Sequence, residues 1–111
     1  PIALACDLRF ASDRAVFTTA FSRRGLIAEW GISWLLDRLV GPAHALDLLL
    51  SARKVDATEA ERIGLVNRTL AHDELLPFVM AYARDLADNC SPASMATMKR
   101  QVYQHLTERL G

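Results

Sequence analysis

The fold is decided by the segment RGLIAEWGISWLL, residues 24–36. After Gly31, apolar residues recur at the spacing of one helix face, at Ile32, Leu35, Leu36, Leu39 and Val40. Gly31 and Ser33 are start signals for a helix, and Gly41-Pro42 is a stop signal. The pattern therefore predicts a helix that begins just after Glu29.

A carboxylate at that position experiences two opposed influences. The helix dipole favours its charged form, whereas the two neighbouring tryptophans, Trp30 and Trp34, are expected to surround it with apolar groups that favour its neutral form. Groups balanced in this way are candidates for proton transfer near neutral pH. Acidic residues in the first turn of a helix are also common for stability alone, so the local sequence leaves both roles open for Glu29.

Composition and charge exclude several classes of protein. The 111 residues are enough for one domain at most, and 51% of them are hydrophobic, as in globular proteins. Thirteen basic and thirteen acidic residues cancel, so we expect neither a nucleic-acid partner nor a charged membrane surface as partner. The apolar runs are too short for a membrane span, and no signal peptide is visible.

The cysteines and histidines give no metal-binding or redox pattern. Cys6 and Cys90 are isolated, and we expect both to be buried thiols in a reducing cytoplasm. His44, His72 and His105 are scattered, without the spacing of a metal site. The sequence therefore predicts a cytoplasmic protein with no metal.

Short strands and longer helices alternate along the chain. Residues 2–6 form a continuous apolar run typical of a buried strand, and residues 15–19 and 65–70 are also expected to be extended. After Gly41-Pro42 a second helix is expected over residues 43–52. Two or three short strands cannot form a stable sheet by themselves and need partner strands. The chain also opens at Pro1 without an initiator Met, so we expect it to be a piece of a longer chain.

Helix-capping residues set the boundaries of the later elements. Asp56 and Glu59 form a capping box, and Gly64 is expected to end that helix. Asp73 is expected to cap the next helix, and Ser91-Pro92 starts the last one. The second half of the chain is therefore predicted to be mostly helical.

The order of these segments resembles the crotonase (enoyl-CoA hydratase/isomerase) superfamily. Residues 3–11 resemble its "LALACDxRxA" segment, and residues 25–41 resemble "GLxPxxGGTxxLPRLVG". Residues 45–50 with 59–67 resemble "ALELLLTG…AEEAxxxGLVN", and Ser91-Pro92 with Lys99 resembles the later "NSPxAxxxxK" helix. The resemblance covers essentially the whole chain, in the family's order and spacing.

The resemblance implies an α/β fold, a partial crotonase-like core of the ClpP/crotonase spiral ββα type. Residues 1–70 would be the C-terminal part of the spiral core, and residues 71–111 a helical region on the trimerisation side. The implied assembly is a homo-trimer or a hexamer formed as a dimer of trimers. The family's N-terminal half, with its CoA-binding loop and oxyanion-hole amides, has no counterpart here, so we expect little activity from these residues alone.

The resemblance also implies acyl-CoA chemistry. The family stabilises a thioester enolate with two backbone N–H groups, and its hydratases use two glutamates, whose positions fall on Pro1 and Phe21. A third acidic position, used by double-bond isomerases, falls on Glu29. The implied function is therefore isomerisation of an acyl-CoA by a proton shuttle through Glu29, with no cofactor apart from the coenzyme A of the substrate.

The same resemblance assigns the pocket and leaves other functions open. Phe21, Ala28 and Trp30 would line the acyl pocket, whereas Leu26 and Trp34 are expected in the core. One alternative is a hydratase that adds water to a 2-enoyl-CoA with Glu29. Another is a non-catalytic crotonase relative whose apolar faces act in assembly.

Overall fold

The computed structural model describes residues 1–108, and the chain forms two compact units, Pro1–Leu75 and a second that begins at Leu76. The boundary lies near the one proposed between residues 70 and 71. The last three residues of the proposed helical region 71–111 lie outside the described residues.

Short strands and helices alternate in the first unit, and two helices follow. The elements are α1 Ile2–Ala5, β1 Phe10–Ser12, β2 Val16–Phe17, a 3-10 turn Ser22–Arg24, α2 Ile32–Ser51, β3 Val55–Asp56, α3 Ala57–Arg62, β4 Arg68–Leu70, a 3-10 turn His72–Glu74, α4 Leu75–Asn89 and α5 Pro92–His105. Strands β1 and β4 pair in parallel, with Phe10 opposite Arg68, and β2 pairs antiparallel with β3, with Val16 opposite Asp56. The strands therefore form two separate pairs.

The prediction of a strand over residues 2–6 is wrong, because this segment contains helix α1. The N–H groups of Leu4 and Ala5 donate to the carbonyl of Pro1 at 3.0 and 3.3 Å, and the N–H of Cys6 donates to Ala3 at 3.2 Å. No strand within residues 1–108 pairs with this segment, so its backbone groups find partners locally. A short apolar run does not by itself distinguish a buried strand from a buried helix.

Helix α2 has the predicted start and the predicted interruption. Gly31 precedes it in the left-handed region, with φ 72°. Gly41 has a non-helical backbone, φ 80° and ψ 165°, directly before Pro42, and an L-residue with a side chain would be strained there. The stop signal is therefore a kink between two helical halves, the second of which ends at Ser51.

The core of the first unit is formed by α2, α3 and the segments beside them. Its buried side chains are Ala11, Ile32, Leu36, Val40, Ala45, Leu48, Val55, Ala60, Ile63, Leu65 and Val66. The prediction that Leu26 and Trp34 belong to the core is wrong, because they are 48% and 43% exposed. Trp34 lies two residues after the buried Ile32, so it faces the other side of the helix, where the guanidinium of Arg38 stacks 3.5 Å from its ring centre.

The prediction of two buried thiols is also wrong. Cys6 is exposed and Cys90 is half-buried. Cys6 directly follows the four-residue helix α1, in which no residue is buried. Cys90 follows α4, which also has no buried residue. Each cysteine therefore follows a helix in which no residue is fully buried among the described residues.

Three of the predicted helix signals are confirmed and one is wrong. The Asp56 carboxylate accepts a 2.8 Å hydrogen bond from the Glu59 N–H, and Ser91 accepts one from Ser94 at 3.2 Å. Gly64 follows α3 with φ 86°. Asp73, however, lies inside a 3-10 turn that has no side-chain cap. None of the helices in residues 1–108 is long and apolar enough to cross a membrane.

Candidate active site

An open cleft of about 780 Å³ lies within the first unit. Its walls are mostly apolar and come from α1, β2, α2 and the segments that connect them. The lining includes Leu4, Phe17, Phe21, Trp30, Ile32, Leu36 and Val55. Among the described residues, no carboxylate lines this cleft, and its charged lining residues are Arg9 and Arg53. The cleft is therefore suited to an apolar group.

The guanidinium of Arg9 donates its hydrogen bonds to backbone carbonyls. Its Nε donates to the carbonyl of Leu65 at 2.8 Å, and its Nη1 donates to the carbonyl of Cys6 at 2.6 Å. The backbone of Arg9 also exchanges hydrogen bonds with Asn67, whose side chain accepts at 2.9 Å and whose N–H donates at 2.8 Å. This arginine therefore joins the segment after α1 to the segment before β4.

Arg53 is occupied by two carboxylates. Its Nη2 lies 2.8 Å from Asp47 Oδ2, and its Nη1 lies 3.0 Å from Glu59 Oε2. These hydrogen bonds lower the pKa of Asp47 and of Glu59. In return the two carboxylates raise the pKa of Arg53, and the hydrogen bond to Glu59 has the larger effect. Arg53 therefore connects α2 to α3 at the edge of the cleft.

Three side chains hold the wall segment of residues 18–25 against the end of α2. Thr18 Oγ1 donates to the carbonyl of Ala52 at 2.9 Å, and Thr19 Oγ1 donates to Leu48 at 2.9 Å. Arg23 Nε donates to the carbonyl of Ser51 at 3.0 Å. The last carbonyls of a helix have few partners within it, so these side chains supply donors at the end of α2, in addition to the Ala52 N–H that reaches Leu48 at 3.1 Å. The same hydrogen bonds fix the cleft wall.

Phe21 is positioned by the turn that follows these residues. The N–H of Leu26 donates to the carbonyl of Phe21 at 2.9 Å, which closes the turn around Ser22–Arg24. Gly25 ends this turn in the left-handed region, with φ 68°. The Phe21 side chain thereby becomes part of the cleft wall, at the position where the family resemblance places the second acid of a hydratase.

Glu29 is exposed, which corrects the expectation of an apolar enclosure around it. Its side chain makes no hydrogen bond or ion pair with residues 1–108. The expectation that it precedes a helix is confirmed, since its carbonyl accepts a 3.1 Å hydrogen bond from Ile32. The enclosure is missing because Trp30, which was expected to shield the carboxylate, is itself 80% exposed.

The turn after Glu29 has an unusual residue at its centre. The hydrogen bond from Ile32 to Glu29 spans Trp30 and Gly31, which both have positive φ, 57° and 72°. Two positive φ values are the mark of a type I′ turn, whose first central position favours Asn, Asp or Gly. A tryptophan there costs about 1 to 2 kcal/mol, and its largely exposed ring gains little by burial.

The predicted pocket residues are divided between the cleft and the loop beside it. Phe21 and Trp30 line the same cleft, whereas Ala28 and Glu29 are not among its lining residues. Thr18 and Thr19 also line it and were not singled out from the sequence, because their hydrogen-bond partners lie far along the chain. Within residues 1–108, no group of three or more His, Cys, Asp or Glu side chains could hold a metal ion.

Solved structures with this fold are similar to the chain over nearly its full length. An enoyl-CoA hydratase EchA12_1 from Mycobacterium marinum is 54% identical, with a TM-score of 0.84, over 96% of this chain and 54% of that one. A monofunctional enoyl-CoA isomerase from M. smegmatis is 41% identical, with a TM-score of 0.85, over 96% of this chain and 50% of that one. The fold is therefore part of the crotonase core.

The sequence comparison gives the family directly. The profile of the enoyl-CoA hydratase/isomerase family matches residues 1–111, and the chain belongs to this family. A probable enoyl-CoA hydratase echA12 from Mycobacterium tuberculosis is 42% identical over 106 residues, which are 95% of this chain and 37% of that relative. The chain thus spans little more than a third of the length of this curated relative.

Proposed function

We propose that the protein acts on an acyl-CoA thioester and moves a carbon–carbon double bond with Glu29 as the proton carrier. The observation that carries this proposal is the contrast at the cleft. The wall is mostly apolar and has no carboxylate among the described residues, whereas Glu29, the residue beside Trp30, carries a carboxylate without a hydrogen bond or ion pair to the described residues. A carboxylate not already bound by arginine, unlike Glu59, is available to accept a proton.

The proposed reaction needs one acid only. The Glu29 carboxylate takes a proton from C2 of a 3-enoyl thioester, and the electron pair of that C–H bond moves into a dienolate. The resulting carboxylic acid returns the proton to C4, the double bond moves to C2, and Glu29 becomes a carboxylate again. The family resemblance supplies the stabilisation of the dienolate oxygen by two backbone N–H groups.

Phe21 supports isomerisation over hydration. Water addition in the family resemblance uses a second acid at this position, and a phenyl ring can neither orient nor deprotonate water. The M. smegmatis relative named a monofunctional isomerase, at 41% identity, supports the same choice. Hydration is the second candidate, because relatives of 42% and 54% identity are named hydratases.

The experiment that tests the proposal compares Glu29→Gln with Glu61→Gln in the native-length protein. Removing a general acid–base residue lowers the rate about 10²- to 10⁴-fold, so Glu29→Gln should lose isomerisation of 3-decenoyl-CoA to that extent. Glu61→Gln, an exposed change on α3, should keep the rate. Unchanged turnover in Glu29→Gln would refute the assignment.

Hydration is separated from isomerisation by a second substrate. Crotonyl-CoA already has its double bond at C2, so an isomerase with one acid should leave it largely unhydrated. We expect the rate of 3-decenoyl-CoA isomerisation to exceed that of crotonyl-CoA hydration. The opposite order would favour the hydratase.

The assembly is proposed from the second unit. Neither α4 nor α5 has a buried residue within the described part of the chain, and Leu76, Met98 and Val102 are 70%, 54% and 60% exposed. Exposed apolar faces of this kind mark surfaces that contact other chains, and together with the family resemblance they support our proposal of a homo-trimer or a hexamer. From the balanced charge we also propose that neither nucleic acid nor a membrane surface is a partner, and a cytoplasmic location stays a prediction. Light scattering at several concentrations would measure the mass.

A further inference from the structure

The turn formed by Glu29, Trp30, Gly31 and Ile32 is more strained than its own packing explains. The first central position of a type I′ turn favours residues that tolerate a left-handed backbone. Trp30 has φ 57° there, and its ring is 80% exposed although it borders the cleft. The folded chain therefore gains little from a tryptophan at this position, and strain of this kind is often found at ligand-binding sites.

The position of the ring suggests what would cover it. Trp30 shares the cleft wall with Phe21 and Ile32, which are apolar, so a chain of methylene groups that lies along this wall would meet the indole. Glu29, as the proposed proton carrier, acts between C2 and C4 of the acyl group. Glu29 does not line the cleft, whereas Trp30, the next residue, does. An acyl chain with C2 to C4 at Glu29 and its tail in the cleft would therefore pass Trp30 with the carbons beyond C4.

We propose that Trp30 determines the acyl-chain length that the protein prefers, by covering the carbons beyond C4 of the bound thioester. This inference rests on the proposed function, because it places the acyl group by the reach of Glu29. It adds a substrate class, acyl-CoA thioesters whose chains are clearly longer than four carbons. A four-carbon chain ends before the indole, whereas a twelve-carbon chain passes it.

The test is a binding measurement with two saturated thioesters, butanoyl-CoA and dodecanoyl-CoA, which have no double bond to move. Trp30→Asn in the native-length protein creates the Asn-Gly pair that a type I′ turn favours. We expect a melting temperature several degrees higher, together with affinity for dodecanoyl-CoA about tenfold lower. The affinity for butanoyl-CoA should change less than about twofold.

Two further variants separate the ring from the backbone strain. Trp30→Phe keeps an aromatic ring in the same strained turn, so it should keep most of the affinity for dodecanoyl-CoA. Ala20→Gly relieves another left-handed residue, φ 60°, that does not line the cleft. It should raise the melting temperature without changing either affinity. A role confined to folding would instead change the two affinities equally.

Several results would overturn the inference. These are an unchanged affinity of Trp30→Asn for dodecanoyl-CoA, equal losses for both thioesters, or the absence of dodecanoyl-CoA binding by the unaltered protein. Because the ligands do not react, this experiment is independent of turnover. If Glu29→Gln abolished isomerisation while Trp30→Asn bound dodecanoyl-CoA normally, the proposed function would stand and the role of Trp30 would not.

Discussion

The hydroxyl of Thr19 donates a 2.9 Å hydrogen bond to the carbonyl of Leu48, 29 residues further along the chain. Leu48 lies in the last turn of α2 and is buried, whereas Thr19 lies in the cleft wall and is half-buried. The Thr19 side chain therefore gives this helix carbonyl a second donor, beside the Ala52 N–H at 3.1 Å, and fixes the backbone that carries Phe21. The stability of α2 and the shape of the cleft are linked through this contact.

Replacing Thr19 by Val should destabilise the protein by about 1 kcal/mol. The substitution keeps the shape of the side chain and removes one of the two donors to the Leu48 carbonyl, the other being the Ala52 N–H at 3.1 Å. Urea unfolding followed by tryptophan fluorescence would measure the loss, because both tryptophans lie in the first unit.

Two control variants test whether the lost hydrogen bond causes the destabilisation of Thr19→Val. Thr19→Ser retains a hydroxyl and should recover most of the stability. Thr58→Val, an exposed change on α3, should have little effect. A loss in Thr58→Val as large as that in Thr19→Val would show that the hydrogen bond is not the cause.

Arg53 should make the stability depend on acid pH. The hydrogen bonds from Arg53 lower the pKa of Asp47 and of Glu59 in the folded protein. Above their unfolded pKa values of about 4, both carboxylates are ionised in the folded and the unfolded protein. Their contribution to the free energy of unfolding is therefore complete above that pH. As the pH falls below that value, the unfolded chain binds protons first and the stability decreases until the folded-state pKa values are passed.

Melting temperatures between pH 7 and pH 2.5 would show this dependence. Arg53→Gln should lower the melting temperature at pH 7 and flatten its decrease in acid. Arg24→Gln removes an exposed arginine without a side-chain partner among the described residues and should preserve the slope. An Arg53→Gln curve parallel to the original would mean that other groups cause the acid dependence.

The parts of the fold that depend on local signals could be predicted from the sequence. The start of α2 after Gly31, its interruption at Gly41, the cap at Asp56 and the end of α3 at Gly64 all follow from side chains that act within a few residues. Residues 2–6 were misjudged because whether an apolar run becomes a strand depends on a distant partner. Whether such a partner exists depends on the tertiary structure, and the sequence of residues 2–6 alone cannot indicate it.

The candidate site was only partly predictable for the same reason. The family resemblance placed Phe21 and Trp30 in one pocket, and both border the cleft, although contact with a substrate stays a prediction. The environment of Glu29 was misjudged because neighbours in sequence do not determine which groups cover a side chain. Thr18 and Thr19 were missed because a threonine gives no sign of which remote carbonyl it will bind.

Gly64 and Gly25 allow the effect of backbone strain to be separated from that of a close contact. Both have positive φ, 86° and 68°, so an alanine is strained at either position by about 1 kcal/mol. A Cβ on Gly64 would also lie 3.2 Å from the carbonyl oxygen of Leu39, whereas a Cβ on Gly25 would have no atom within 4 Å. Gly64→Ala should therefore be the more destabilising change.

We expect Gly25→Ala to cost about 1 kcal/mol and Gly64→Ala about 2 kcal/mol or more. Urea unfolding of the two variants beside the unaltered protein would measure both losses. The difference between them reports the contact with Leu39, because the strain is common to both. Equal losses would mean that the α2 backbone at Leu39 moves away from a new methyl group at little cost, and that α2 and the end of α3 are less tightly packed than their contact distance indicates.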